Sequence, residues 1–255
     1  MNKLLPLLPA LALILHIPAT AQTNSTSRGP SAARAAFSRW SLSLETGPSF
    51  PTGNFHDKTF YSTSAGSANT GVGAELATTY RLCPSFGLTM SAGFQHNPSV
   101  TTPFLDEAPG PSNEPAERVE HESWKIGRLL TGAVYERALS KNKRLVLQIR
   151  AMAGVVKTDV PGFKYVDAGT GASEGAWKYS QLSPGFAYQA DAGFKYVITK
   201  RISVLVNTGY TGSRFTGRYT YNLLNPDGTS FETAKGSKTI ALGTIQCRAG
   251  IEIGL

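Results

Sequence analysis

Residues 185–197 read GFAYQADAGFKYV, and their alternation decides how the chain folds. Phe186, Tyr188, Ala190, Ala192, Phe194 and Tyr196 share one parity, while Gly185, Ala187, Gln189, Asp191, Gly193 and Lys195 share the other. Successive side chains of a strand point to opposite faces, so this is a strand with one apolar and one mostly polar face. Seven more segments carry the signature: 40–50, 71–82, 86–96, 124–136, 145–155, 202–210 and 243–255. No helical period follows residue 38, and the expected fold is all-β.

Segment 124–136 is the irregular one. Trp124 and Ile126 lie on one parity, and Leu129, Ala133 and Tyr135 on the other. A bulge near Gly127-Arg128 would bring both sets to one face; without it Arg128 or Glu136 points outward. The links alternate in length. RLCPS (81–85), RALSKNKR (137–144) and VITKR (197–201) are short, whereas 51–69, 97–123, 156–184 and 211–242 are long and fall on one end. Eight strands so joined make an antiparallel up-and-down β-barrel, and short turns at one end with long loops at the other are the habit of membrane barrels.

Periodicity alone leaves open which face looks inward, because a soluble ligand-binding barrel would turn its apolar row in. Three observations favour the inverse. The polar row is rich in glycine (Gly71, Gly93, Gly193, Gly209 and Gly250 among others), which has no use on a hydrated face but fits the interior of eight strands. The apolar rows end in aromatics: Trp40, Tyr80, Phe86, Tyr135 and Tyr196 toward the short turns, and Phe50, Phe94, Trp124, Phe186 and Tyr210 toward the long links. Two such girdles match the two interfaces of a bilayer. Strands of about ten residues suit a tilted crossing. The apolar face is thus expected to meet lipid, in a transmembrane barrel. Glu45, Glu75, Arg150, Asp191, Lys195, Arg248 and Glu252 then project into the lumen, where they are expected to pair as a plug. A narrow gated ion path is the alternative use of the same residues.

Lys3, the apolar run LLPLLPALALILHIP and the small residues Ala19-Thr20-Ala21 read as a cleaved signal peptide over 1–21. Residues 22–38 read as a flexible polar leader and 39–255 as the barrel. The formal charge of +8 includes Lys3, the one charge in 1–21, so the mature chain carries +7. Charged residues are 16%, low against the roughly 25% of soluble domains. No dense basic patch with stacking aromatics appears, so nucleic acid is not an expected partner. Cys83 and Cys247 fall in a turn and mid-strand, and are expected to stay free.

The signal LALILHIPATA, the segments GAELATTYRL and GFAYQADAGFKYV, and the terminal strand IQCRAGIEIGL together resemble the small outer-membrane β-barrel family of Gram-negative bacteria. The likeness is to OmpA-type eight-stranded barrels and in particular to the Bacteroidetes-type outer membrane β-barrel group. It implies an outer-membrane location, contact with outer-membrane lipid and lipopolysaccharide, and insertion by the barrel-assembly machinery. Barrels of the family often end in Phe; this chain ends in Leu255.

Candidate chemistry is sparse. Some barrels of this size modify lipid A, which needs a base and a nucleophile near the outer interface; His96 and Ser99 are the pair in view. The stretch DEAPGPSNEPAERVEHES carries Asp106, Glu107, Glu114, Glu117, Glu120 and Glu122, but matches no defined calcium loop, and no metal or cofactor is expected. Arg137, Lys141, Lys143, Arg144, Lys200 and Arg201 lie at the short-turn end, where leaflet phosphates, the cell wall or water are the candidate neighbours. The expected role is structural, or binding and adhesion of an extracellular ligand by the long links. A small pore or transporter comes second and a lipid A-modifying enzyme third.

Overall fold

The computed structural model describes residues 38–57, 66–99, 118–161, 163–166, 173–182, 184–224 and 230–255. The signal segment, the leader up to residue 37 and the acidic run 106–117 lie outside them. Eleven strands follow in order: β1 (Trp40–Thr52), β2 (Gly71–Cys83), β3 (Phe86–Asn97), β4 (Arg118–His121), β5 (Trp124–Ala138), β6 (Leu145–Asp159), β7 (Phe163–Val166), β8 (Ser173–Leu182), β9 (Gly185–Val197), β10 (Ile202–Leu224) and β11 (Ser230–Gly254). Eight of them close a barrel in the order β1-β2-β3-β5-β6-β9-β10-β11, with β11 returning to β1 from Ser41↔Gly254 to Thr52↔Gly243. Closure leaves no edge within the barrel, so its backbone donors and acceptors are met inside the protein.

The alternation settles which way each row faces. Leu44 is 60% exposed and its neighbour Glu45 is fully buried. Val206 at 57% stands beside Asn207 at 2%. The exterior is therefore apolar and the interior charged, the reverse of a water-soluble barrel. Glycines let the interior fill closely. A Cβ at position 250 would come within 2.7 Å of Glu45 Cα and would run into the Leu44 carbonyl, so β1 and β11 approach there only because Gly250 has no side chain. On the outside, Gly212 lies beneath the Tyr188 ring, which would otherwise have no flat seat.

β5 contradicts the expected bulge. Its ladder with β3 runs without a break from Phe86↔Tyr135 to Asn97↔Trp124. Trp124, Ile126, Arg128, Leu130, Val134 and Glu136 all face in, and Leu129 faces out. Trp124, expected in the outer girdle, is 3% exposed inside the barrel. The physical reason is cost. A charged side chain on the lipid face of a barrel costs about 2–4 kcal/mol at mid-depth, whereas an indole inside finds partners. Arg128 and Glu136 fix the parity, and the apolar residues follow them.

The long links are also more ordered than loops. Beyond the barrel, β10 and β11 continue as one hairpin, paired from Ile202↔Ile253 to Leu224↔Ser230 with a single irregularity near Leu223. Residues 211–242, expected as a loop, are therefore mostly ladder. Where β9 ends opposite Arg214, β8 takes over the same edge of β10 from Gly217↔Leu182 to Leu223↔Gly175. β7 then pairs with β8 and β4 with β7, so the barrel wall rises into an open sheet on the long-link side. Among the described residues no helix is long and apolar enough to cross a membrane, and the only helical turn is the 3-10 segment Gly53–Phe55.

Candidate functional site

The interior is built in layers, and every barrel strand sends in two or more polar residues. Nearest the short turns, Arg81 of β2 meets Glu136 of β5 at 3.1 Å and Glu252 of β11 at 2.7 Å. Lys195 of β9 bridges the same two carboxylates, at 3.3 Å from Glu252 and in close contact with Glu136. Gln148 donates to Glu136 at 3.0 Å.

The middle layer holds three arginines against three carboxylates. Arg150 reaches Glu45 at 2.9 Å, Asp191 at 3.2 Å and Glu75 at 3.4 Å. Arg248 contacts Asp191 at 2.9 Å and Glu75, and Arg128 contacts Glu75 at 3.3 Å. Amides fill the gaps: Gln189 donates to Glu75 at 2.9 Å, Asn207 to Glu45 at 2.8 Å, and Arg128 to Gln246 at 2.8 Å. Burial in so small a space is tolerable because every one of these ions faces at least one of opposite charge, even though Arg128 Nε, Arg150 Nε and Arg248 Nε lack a hydrogen-bond acceptor. Among the described residues the buried charges are Arg81, Arg128, Arg150, Lys195 and Arg248 against Glu45, Glu75, Glu136, Asp191 and Glu252, five of each sign. The interior is neutral.

Above the ions the filling turns apolar. Phe55, Ala68, Trp124, Ile126, Val156, Phe215, Ile240 and Leu242 belong to one buried cluster. The 3-10 turn carries Phe55 against Trp124, edge to face with centroids 5.2 Å apart, and Trp124 Nε1 donates to the Gly66 carbonyl at 2.8 Å. Asn97 ties the returning chain down by donating to the Asn69 carbonyl at 2.8 Å. Between this cap and the arginines lies a cavity of about 10 Å³ bordered by Gln95, Ile126, Arg128, Val156, Thr211 and Thr244, room for one water and no more.

All seven of the expected lumen residues, Glu45, Glu75, Arg150, Asp191, Lys195, Arg248 and Glu252, are buried inside the barrel and ion-paired. Arg81, Arg128 and Glu136 complete the set; their inward parity was readable from charge alone. Phe55 left no such signal, because a single aromatic in a link has no period. Of the expected girdle residues, Trp40, Phe50, Phe86, Phe94, Phe186, Tyr196 and Tyr210 are exposed on the outer face, and Tyr80 and Tyr135 are half-buried there. Trp124 is the exception already described. Cys83 and Cys247 are free and exposed.

The proposed base and nucleophile do not meet. His96 sits on the outward row of β3, while the Ser99 hydroxyl is buried and the Ser99 backbone bridges to Ala68. Among the described residues no group of His, Cys, Asp and Glu is arranged to hold a metal.

Residues 140–255 match the model of a family described as surface antigen. Among curated proteins none matches the sequence. Solved structures similar to this chain include Neisserial surface protein A, 10% identical over 86% of this chain and 98% of its own, with a TM-score of 0.44. Ail, the attachment invasion locus protein of Yersinia pestis, is 12% identical over 85% of this chain and 99% of its own (TM-score 0.40). The outer membrane protein OprG from Pseudomonas aeruginosa is 11% identical over 87% and 99% (TM-score 0.45). A surface that only acyl chains can solvate, wrapped around ions that are neutralised within the wall, has one stable setting: the chain folds as a membrane-spanning β-barrel, and its residues 140–255 are similar to the surface-antigen family.

Proposed function

We propose that the barrel is a non-conducting anchor and that the protein works by surface binding, through the sheet that rises from it on the outer side. The observation that carries this reading is the β10–β11 ladder, which continues well past the last barrel contact of β9 and recruits β8, β7 and β4. Among the described residues β4 pairs on one side only, so the raised sheet ends in a strand with open backbone groups, the arrangement that accepts an extended segment from a partner. The neutral, filled interior supports the anchor half of the proposal, because eight strands leave no lumen once their side chains are in place. The family description, surface antigen, is consistent with an exposed binding role.

The test joins Thr216 directly to its ladder partner Thr239 through an Asn-Gly turn, which removes the β10–β11 extension on which β8, β7 and β4 are built and spares the barrel. Cells displaying the shortened chain are expected to adhere to a protein-coated surface no better than cells without the barrel, while cells with the full chain adhere more. Equal adherence of the two chains would overturn the proposal.

A further inference from the structure

The two adjacent short turns form a cationic surface. The β5–β6 turn and the strand ends around it carry Arg137, Lys141, Lys143 and Arg144, and the β9–β10 turn carries Lys200 and Arg201. All six are exposed, and among the described residues none has an ion-pair partner. The turns are neighbours because β6 pairs with β9, and Val197 N donates to the Arg144 carbonyl at 2.8 Å across the gap. The third turn, Leu82-Cys83-Pro84-Ser85, has no charge, so the six cations are gathered on one side of the rim.

No carboxylate side chain offsets them. Every Asp and Glu outside the lumen belongs, in the sequence, to a segment on the long-link side; the five inside are consumed by the buried network. The turns are also held in shape. Ser140 Oγ donates to Asn142 Oδ1 at 2.7 Å and accepts from Leu145 N at 3.1 Å, and Thr199 Oγ1 accepts from Arg201 N at 3.2 Å and from Ile202 N at 3.0 Å. Like charges are thus kept together by short, hydrogen-bonded turns rather than dispersed on mobile ones.

Depth decides the partner. Arg137 follows Tyr135 on the outward row of β5, Arg144 precedes the exposed Leu145, and Arg201 precedes the exposed Ile202. The cations therefore begin where the apolar belt stops, at the level of headgroup phosphates, with their aliphatic stems able to lie along the belt. We infer that this face is a binding surface for anionic phospholipid headgroups in the leaflet that the short turns enter. Several phosphates can be engaged at once, and each basic residue close to an anionic lipid surface is expected to raise affinity roughly five-fold.

Native mass spectrometry of the full chain in detergent, titrated with phosphatidylglycerol or phosphatidylcholine of the same acyl length, tests this. Phosphatidylglycerol adducts are expected at concentrations at least ten-fold lower than phosphatidylcholine adducts. K141Q/K143Q/R144Q/K200Q is expected to remove that difference without changing phosphatidylcholine binding, while K141R/K143R/K200R preserves it. Retention of the folded, unboiled gel band shows that each variant is intact. Equal binding of the two lipids by the unaltered chain would overturn the inference. So would a phosphatidylglycerol preference that survives the glutamine variant, or lipid-indifferent binding coupled to charge-dependent retention on isolated murein.

Discussion

Arg150 and Glu45 are 105 residues apart in sequence and joined by two hydrogen bonds across the lumen, Arg150 donating to the two carboxylate oxygens at 2.9 and 3.2 Å. Neither strand neighbours the other in the barrel, so the pair spans the space rather than lining it. Glu45→Leu leaves the buried network with one positive charge in excess, Arg150 keeping only Asp191 and Glu75, and is expected to destabilise the barrel by about 3 kcal/mol, as does breaking other buried pairs. Arg150→Leu in the same chain restores neutrality. The double variant is expected to be more stable than the sum of the two losses by about 1–3 kcal/mol, read from urea unfolding of the barrel in micelles. Simple additivity would show that the pair is not coupled.

The inward placement of Trp124 has an optical test. With the other tryptophans changed to Phe, a chain retaining Trp40 is expected to be quenched by lipids brominated on their acyl chains near the interface, because Trp40 is 50% exposed on the outer face. A chain retaining only Trp124 is expected to resist the same lipids. Quenching of Trp124 would return it to the girdle and require the bulge in β5 that the ladder lacks.

Trp124 also holds the cap. Trp124→Ala removes the edge contact with Phe55 and the donor to Gly66, and large-to-small changes of this kind cost about 3–5 kcal/mol in well-packed interiors. The expected result is a folded band on unboiled gels that is lost at lower temperature than in the parent chain. Trp124→Phe is expected to lose less, since it retains a ring for Phe55 and gives up only the hydrogen bond.

Two glycines separate close packing from mere presence. Gly250→Ala sets a Cβ against the backbone of β1, and overpacking of that kind costs about 1–3 kcal/mol. At Gly127 the nearest atom to an added Cβ, the Lys157 carbonyl oxygen, is 3.9 Å away, so Gly127→Ala is expected to be neutral or slightly stabilising. Matched unfolding curves for the two variants check the contrast.

The free cysteines report on solvent. Cys247 lies on the lipid-facing row of β11, where its thiol is 3.5 Å from the Thr208 hydroxyl, and Cys83 ends β2 at the short turn. A membrane-impermeant maleimide applied to reconstituted barrels is expected to modify Cys83 from the short-turn side and spare Cys247. The reverse pattern would exchange wet and greasy faces.

Much of this was legible in the sequence, for a reason that also explains the failures. In β9 the two rows differ in polarity at almost every step, and the alternation alone bounds the strand at Gly185 and Val197. In β5 the inward row is mostly apolar, because Trp124, Ile126, Leu130 and Val134 pack in the lumen, so hydrophobicity could not tell the two faces apart. Arg128 and Glu136 could, since the side that must shelter an ion is fixed whatever the apolar residues prefer. Beyond the lipid-facing belt the chain no longer needs an apolar outer row, and the alternation that identifies a strand fades; hence residues 211–242 read as a loop in the sequence and are ladder in the structure. Phe55 was out of reach because its burial depends on a tertiary fold-back rather than on a period.

The way the ions are shared has a consequence for how the protein reaches its membrane. Of the eleven ion contacts inside the barrel given by the described residues, nine join strands that are not side by side in the wall, and Arg150–Asp191 and Arg248–Glu45 link neighbours. A pair of adjacent strands crossing the bilayer alone would carry most of its charges into hydrocarbon without their counter-ions. Entry must therefore be collective, with the polypeptide curling around its own electrolyte before the last seam is sewn.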